Sequence, residues 1–144
     1  MELFWFIWIF IDMKKVIKKL LREGLLTSKG NDLVRHENPY DENQFYFDIL
    51  DKDGIKIGKI ELNDLTNFEY WQQQGINGYI VTNSSVNIRN LGLGRDAYKT
   101  LFSKLDKPIF SDIVRSDDAN KMWNSFVDDG LAKYDSKLDR YYSL

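Results

Sequence analysis

The densest chemical signal in the chain is the run Arg89-Asn90-Leu91-Gly92-Leu93-Gly94-Arg95. A strand pattern, Tyr79 to Ile88, leads into it, and Ala97, Tyr98, Leu101, Phe102 and Leu105 follow at helical spacing. A helix N-terminus presents free N–H groups at the positive end of its dipole. Two glycines remove the side chains that would hold a phosphate away from that backbone. Arg89 and Arg95 add positive charge beside it. The combination suits a diphosphate. It lacks the third Gly of a dinucleotide fingerprint and the Gly-Lys-Ser/Thr of a nucleotide-phosphate loop. A tight strand-to-helix turn without a ligand accounts for the same residues, so the motif alone leaves both readings open.

Composition removes most other chemistry. With no Cys among 144 residues there is no disulfide, thiolate zinc site or cysteine nucleophile. One histidine, His36, cannot supply a two-histidine metal motif, and beside Arg35 and Glu37 it reads as a surface residue. No metal site is expected. A net charge of −2 gives no basic footprint for nucleic acid. Phe45, Tyr46, Phe47, Tyr79, Tyr141 and Tyr142 therefore read as core rather than as a base-stacking platform. Asn83-Ser84-Ser85 fits a glycosylation pattern, but nothing supports secretion and a cytoplasmic protein is expected.

One domain is expected over 1–144. Leu3 to Ile11 is an unbroken apolar run, too short for the roughly 20 residues of a membrane-spanning helix. Three readings stand: an edge strand, sequence upstream of a natural start at Met13, or an interfacial anchor beside Lys14, Lys15, Lys18 and Lys19. Membrane association is the least favoured of them. Met13, Val16, Ile17, Leu20 and Leu21 mark an amphipathic helix stopped by Gly24. Residues 25–43 show no periodicity.

From Gln44 the period becomes two, with Phe45, Phe47 and Ile49 on one face. Asp51-Lys52-Asp53-Gly54 reads as a hairpin turn. The next strand, through Ile55, Ile57, Ile60 and Leu62, changes parity across Gly58, which predicts a bulge there. A connection with Phe68, Tyr70 and Trp71 leads to the strand before the glycine motif. Ile109-Phe110 is a short buried strand after Pro108. Ser116 caps a helix with the stripe Ala119, Met122, Trp123, Phe126 and Val127, and Gly130 stops it. A hairpin around Asp135-Ser136-Lys137 closes the chain. The expected order is helix, three strands, helix, strand, helix, two strands. It implies an α/β (α+β) domain, a central mixed sheet with helices on both faces.

On these residues the chain resembles the GNAT superfamily of acyl-CoA-dependent N-acyltransferases. Their signature, Arg/Gln-x-x-Gly-x-Gly/Ala between the fourth strand and the third helix, is matched by Arg89, Gly92 and Gly94. The block Ser116 to Trp123 is similar to the family's following helix. The likeness covers residues 44–144, with helix 13–23 as the family's first helix and residues 3–11 as a possible first strand. It implies a V-shaped opening between the fourth and fifth strands that holds acetyl-CoA as co-substrate. The pyrophosphate would rest on Asn90, Leu91, Gly92, Leu93, Gly94 and Arg95 beside Arg89. Val86 and Ile88 would offer main-chain bonds to the pantetheine, and Asn120 would touch it.

Three departures bear on catalysis. Trp123 stands where the family carries a general-acid Tyr, and an indole N–H does not serve as a phenol does. The strand 79–88 has no carboxylate base, only Thr82, Asn83, Ser84 and Ser85. The turn before Arg89 is short and lacks the family's frequent Pro. Ser111 and Asp112 lie near the expected reaction centre and read first as loop residues or caps, so no catalytic residue is assigned. The implied function is transfer of an acetyl group from acetyl-CoA to a primary amine, small molecule or protein. The alternative is a non-catalytic CoA-binding or interaction module on the same scaffold.

Overall fold

Phe45, Phe47 and Ile49 are almost completely buried, as their period-two spacing predicts. They lie on β2 (Asp41–Leu50), in a mixed sheet that has seven strands among the described residues. The computed structural model describes Met13 and residues 25–86 and 92–144. The apolar run 3–11, the rest of helix 13–23, and Ile88, Arg89, Asn90 and Leu91 lie outside the described residues.

The turn at Asp51–Gly54 forms as expected. Asp51 Oδ1 accepts from the amides of Asp53 and Ile55, each at 2.9 Å, and Gly54 takes φ +78°. It delivers the chain into β3 (Lys56–Asp64). Ile49 pairs with Gly58 and Leu50 with Lys56, so Ile57 is the extra residue of the bulge beside Gly58. The strand begins one residue later than its apolar pattern suggested, leaving Ile55 exposed.

Two elements correct the expected order. Residues 25–43 are not without structure: β1 (Asp32–Asn38) forms an edge strand against β2. Only Leu33 of that strand is buried, and Arg35, His36 and Glu37 carry ladder bonds while facing outward or along the surface. An edge strand needs little apolar pattern, because half its backbone and most of its side chains meet water. The connection after β3 contains a short helix, α1 (Glu69–Gln73).

β4 (Tyr79–Val86) follows, then α2 (Leu93–Lys104), β5 (Ile109–Phe110), α3 (Asp117–Asp128), β6 (Ala132–Asp135) and β7 (Arg140–Ser143). Ser116 caps α3, its hydroxyl accepting from the Ala119 amide at 3.1 Å. Gly130 ends the helix at φ +75°. The strands stand in the order β1-β2-β3-β4-β5-β7-β6, and neighbours are antiparallel except β4 and β5, which run parallel.

The main core lies on one face, where Phe45, Phe47, Ile60, Leu62 and Val81 meet Tyr98 and Leu101 of α2 and Trp123 and Phe126 of α3. Ile80, one residue out of phase with Val81, joins Phe110, Leu65 and Ile76 in a second cluster, against which Trp71 of α1 packs. The expectation of an α+β fold on a central mixed sheet therefore holds, with the two longer described helices on one face and the short α1 beside the second cluster. Among the described residues, no helix is long and apolar enough to cross a membrane.

Candidate functional site

β4 and β5 pair at only two positions, Tyr79 with Ile109 and Ile80 with Phe110. Beyond them the strands part. The chain after Phe110 is taken by β7 instead: the Ser111 amide donates to Tyr141 O and Ser111 Oγ accepts from the Tyr141 amide, both at 2.9 Å. Ser111 is thus a buried, satisfied residue. On the other side of the gap β4 bends. Glu61 pairs with Asn83 and Leu62 with Val81, which leaves Thr82 as an extra residue in a second bulge.

Two cavities open where the strands separate. The smaller, about 260 Å³ in volume, lies between β4 and α3, walled by Asn83, Ser84, Tyr98, Ser116, Met122 and Trp123. The larger, about 520 Å³, is lined by Asp41, Asn63, Phe68, Trp71 and Arg140 among others. Val81, Thr82 and Asp112 line both.

The glycine motif sits at the start of α2. Gly92 is the N-cap at φ +68°, a left-handed conformation that disfavours any side chain. A Cβ on Gly94 would lie 3.1 Å from Val86 Cγ2, so this glycine lets the helix approach half-buried Val86. The first helical bond runs from the Asp96 amide to Gly92 O at 3.0 Å. The amides of Leu93, Gly94 and Arg95 have no partner among the described residues.

One of the two cations the spacing put at that terminus lies elsewhere: Arg95 turns to Asp129 at the end of α3 and lies over the Phe126 ring, while Arg89 is outside the described residues. Among the described residues the cation at the cap is Lys29, whose Cε lies 3.6 Å from where a Gly92 Cβ would be. Lys29 comes from a tight turn in which the Thr27 amide donates to Asn31 O at 2.8 Å and Gly30 adopts φ +83°. No pattern in residues 25–31 pointed to it.

That turn is fastened by Asp96, which is buried in the first turn of α2. The Ser28 hydroxyl donates to Asp96 Oδ1, and the Lys29 amide donates to Oδ2 at 2.9 Å. Burial pushes the carboxyl upward, but the Ser28, Lys29 and Thr27 donors and the Lys29 charge outweigh it and hold the pKa below the usual value. The stabilisation is complete above the ordinary Asp pKa of about 3.9 and is lost as pH falls through the lowered native value. Wild type is expected to lose more stability below about pH 4 than Asp96→Asn does. Denaturant midpoints measured down the acid limb check this, and parallel limbs would refute it.

Asn120, on α3, has its Oδ1 engaged by Arg115 Nε at 2.8 Å, and Ala119 rather than Asn120 lines the smaller cavity. Trp123 is 2% exposed and stacks on Tyr141 with centroids 5.9 Å apart. Tyr98, a buried phenol on α2, lines the same cavity. Burial pushes the Tyr98 hydroxyl up to about 12, against a smaller opposing effect of Ser84. It keeps its proton at neutral pH. Tyr98 was legible as helix core, but its place on a cavity wall was not. Among the described residues, no group of His, Asp or Glu is arranged to hold a metal ion. The chain matches no model of a known protein family, and no curated protein matches it.

Proposed function

We propose that this chain is a GNAT-like acyl-CoA-dependent N-acyltransferase that transfers an acetyl group from acetyl-CoA to a primary amine. The observation that carries the reading is the parting of β4 and β5 after two paired positions, with α2's N-terminus at the far end of β4. Acetyl-CoA fits a cleft of this kind. Its diphosphate would take the amides of Leu93, Gly94 and Arg95 with the Lys29 ammonium, and its thioester would reach the cavity beside Tyr98. Tyr98 supplies a protonated hydroxyl there, a hydrogen-bond donor to the reacting carbonyl or sulfur.

Attack by a neutral amine needs chiefly orientation beside the thioester. A binding module without catalysis is favoured by one observation: the β4 residues facing the cleft, Thr82, Asn83 and Ser84, include no carboxylate.

Acetyl-CoA at a hundred times its dissociation constant should stabilise the fold by about 2.7 kcal/mol, raising Tm by roughly 8–11 °C for a chain of this size. Lys29→Glu, at an exposed position, should weaken acetyl-CoA binding about tenfold, which roughly halves this stabilisation at the same ligand concentration. No shift at millimolar acetyl-CoA would refute the proposal. Thiol release with a panel of amines separates the enzyme from the binding module.

A further inference from the structure

Arg140 is a buried charge. It opens β7, is 5% exposed, and lines the larger cavity. Its Nη1 donates to Ser111 O at 2.8 Å, and its guanidinium carbon lies 5.6 Å from the centre of the Trp71 ring. It forms no ion pair among the described residues. The neighbouring carboxylates make no ion pair with it. Asp139 accepts from Arg115 at 3.3 Å and from Tyr134, and Asp112 Oδ1 accepts from the Ile113 amide at 2.6 Å. Burial holds the Arg140 pKa below the usual arginine value, with Asp112 opposing and Arg115 adding to that fall.

A guanidinium has five N–H donors in a planar fork, and one of Arg140's is spoken for. Its nitrogens are not among the sealed, unpartnered atoms of the interior, and a charge withdrawn this far from bulk water favours an anion that compensates it. The fork matches a carboxylate, which can accept two parallel bonds. At about 520 Å³ the cavity has the size of small-molecule sites. Trp71 and Phe68 offer an apolar wall beside the guanidinium. Asp112 stands on the wall shared with the smaller cavity, a carboxylate placed for a positive or hydrogen-bonding nitrogen.

We propose that the larger cavity binds an amino acid, its carboxylate on Arg140, its side chain against Trp71 and Phe68, and its amine toward Asp112. Its role as acyl acceptor rests on the acyltransferase reading, whereas the carboxylate site does not. In the transfer, the amine nitrogen bonds the thioester carbonyl carbon and the C–S bond breaks. The proton displaced from nitrogen passes through Asp112 or water to the departing sulfur. No further reactant is needed.

The test uses the unmodified full chain and matched probes without CoA. Alanine and phenylalanine are each titrated against the amine lacking the carboxylate, ethylamine and phenethylamine, with binding followed by NMR. At least one amino acid should bind ten times more tightly than its amine. Arg140→Lys, which keeps the charge but not the fork, should erase that preference and leave the acetyl-CoA response unchanged. Equal binding of acid and amine, or no binding of either amino acid, overturns the proposal, and both results come from wild type whatever the variant's stability. Amino-acid binding without an acetyl-CoA shift upholds the carboxylate site and overturns the acceptor role.

Discussion

Replacing Phe126 with alanine is expected to destabilise the protein by about 3–5 kcal/mol. The residue is fully buried on α3. Its ring meets Phe102 at 5.0 Å and Trp123 at 5.6 Å, both edge-on, and Tyr98 at 6.3 Å. Arg95 covers it from α2, held there by Asp129. Aromatic pairs contribute about 0.5–1.5 kcal/mol beyond the area they bury, so the upper half of the range applies. No neighbour can fill the space, because the surrounding rings are fixed by one another and by the sheet. With a urea m-value of about 1.5 kcal/mol/M, the midpoint should fall by roughly 3 M. Since α3 walls the smaller cavity, any surviving fold should also bind acetyl-CoA less well. A loss under about 1 kcal/mol would mean that α2 and α3 are not joined through this ring.

What the sequence made legible was decided by range. Phe45, Phe47 and Ile49 show their buried face through neighbours two residues away, and Ser116 and Gly130 act within one turn of their own helix. The parity change at Gly58 exposes a bulge because apolar residues flank it on both sides. The bulge at Thr82 has no such marker, since Thr82 to Ser85 are all exposed and either register reads as polar. β1 and α1 escaped for the same reason, one an edge strand with polar side chains and the other five residues long with none buried.

At the site, Gly92 and Gly94 could be placed at a helix start, but Arg95 could not be paired with Asp129, 34 residues on. Lys29 reaches the cap only because Asp96, 67 residues away, fastens its turn. Arg140 looks like an outward residue in Asp139-Arg140-Tyr141-Tyr142, and its burial depends on Trp71 lying over the sheet.

Gly78→Ala should be as damaging as a large core deletion, at about 3 kcal/mol or more. A Cβ at Gly78 would sit 2.3 Å from Pro108 O and 3.3 Å from the Phe110 ring. The obstacle is backbone, and it is held in place. Pro108 O accepts from the Tyr79 amide at 2.9 Å, and Gly78 O accepts from the Leu65 amide at 3.0 Å. Relief requires moving β4 away from β5 at the closed end of their opening, where only two residue pairs hold them together. The variant should therefore lose its acetyl-CoA response as well as stability. Gly130→Ala is the control. Gly130 has φ +75° and open space around it, so its cost is backbone strain alone, about 1 kcal/mol. Urea denaturation of the two variants separates clash from strain. If Gly78→Ala were as mild as Gly130→Ala, β4 and β5 would have room to separate at their paired end, and the wall that the two cavities share at Val81, Thr82 and Asp112 would lack a rigid base.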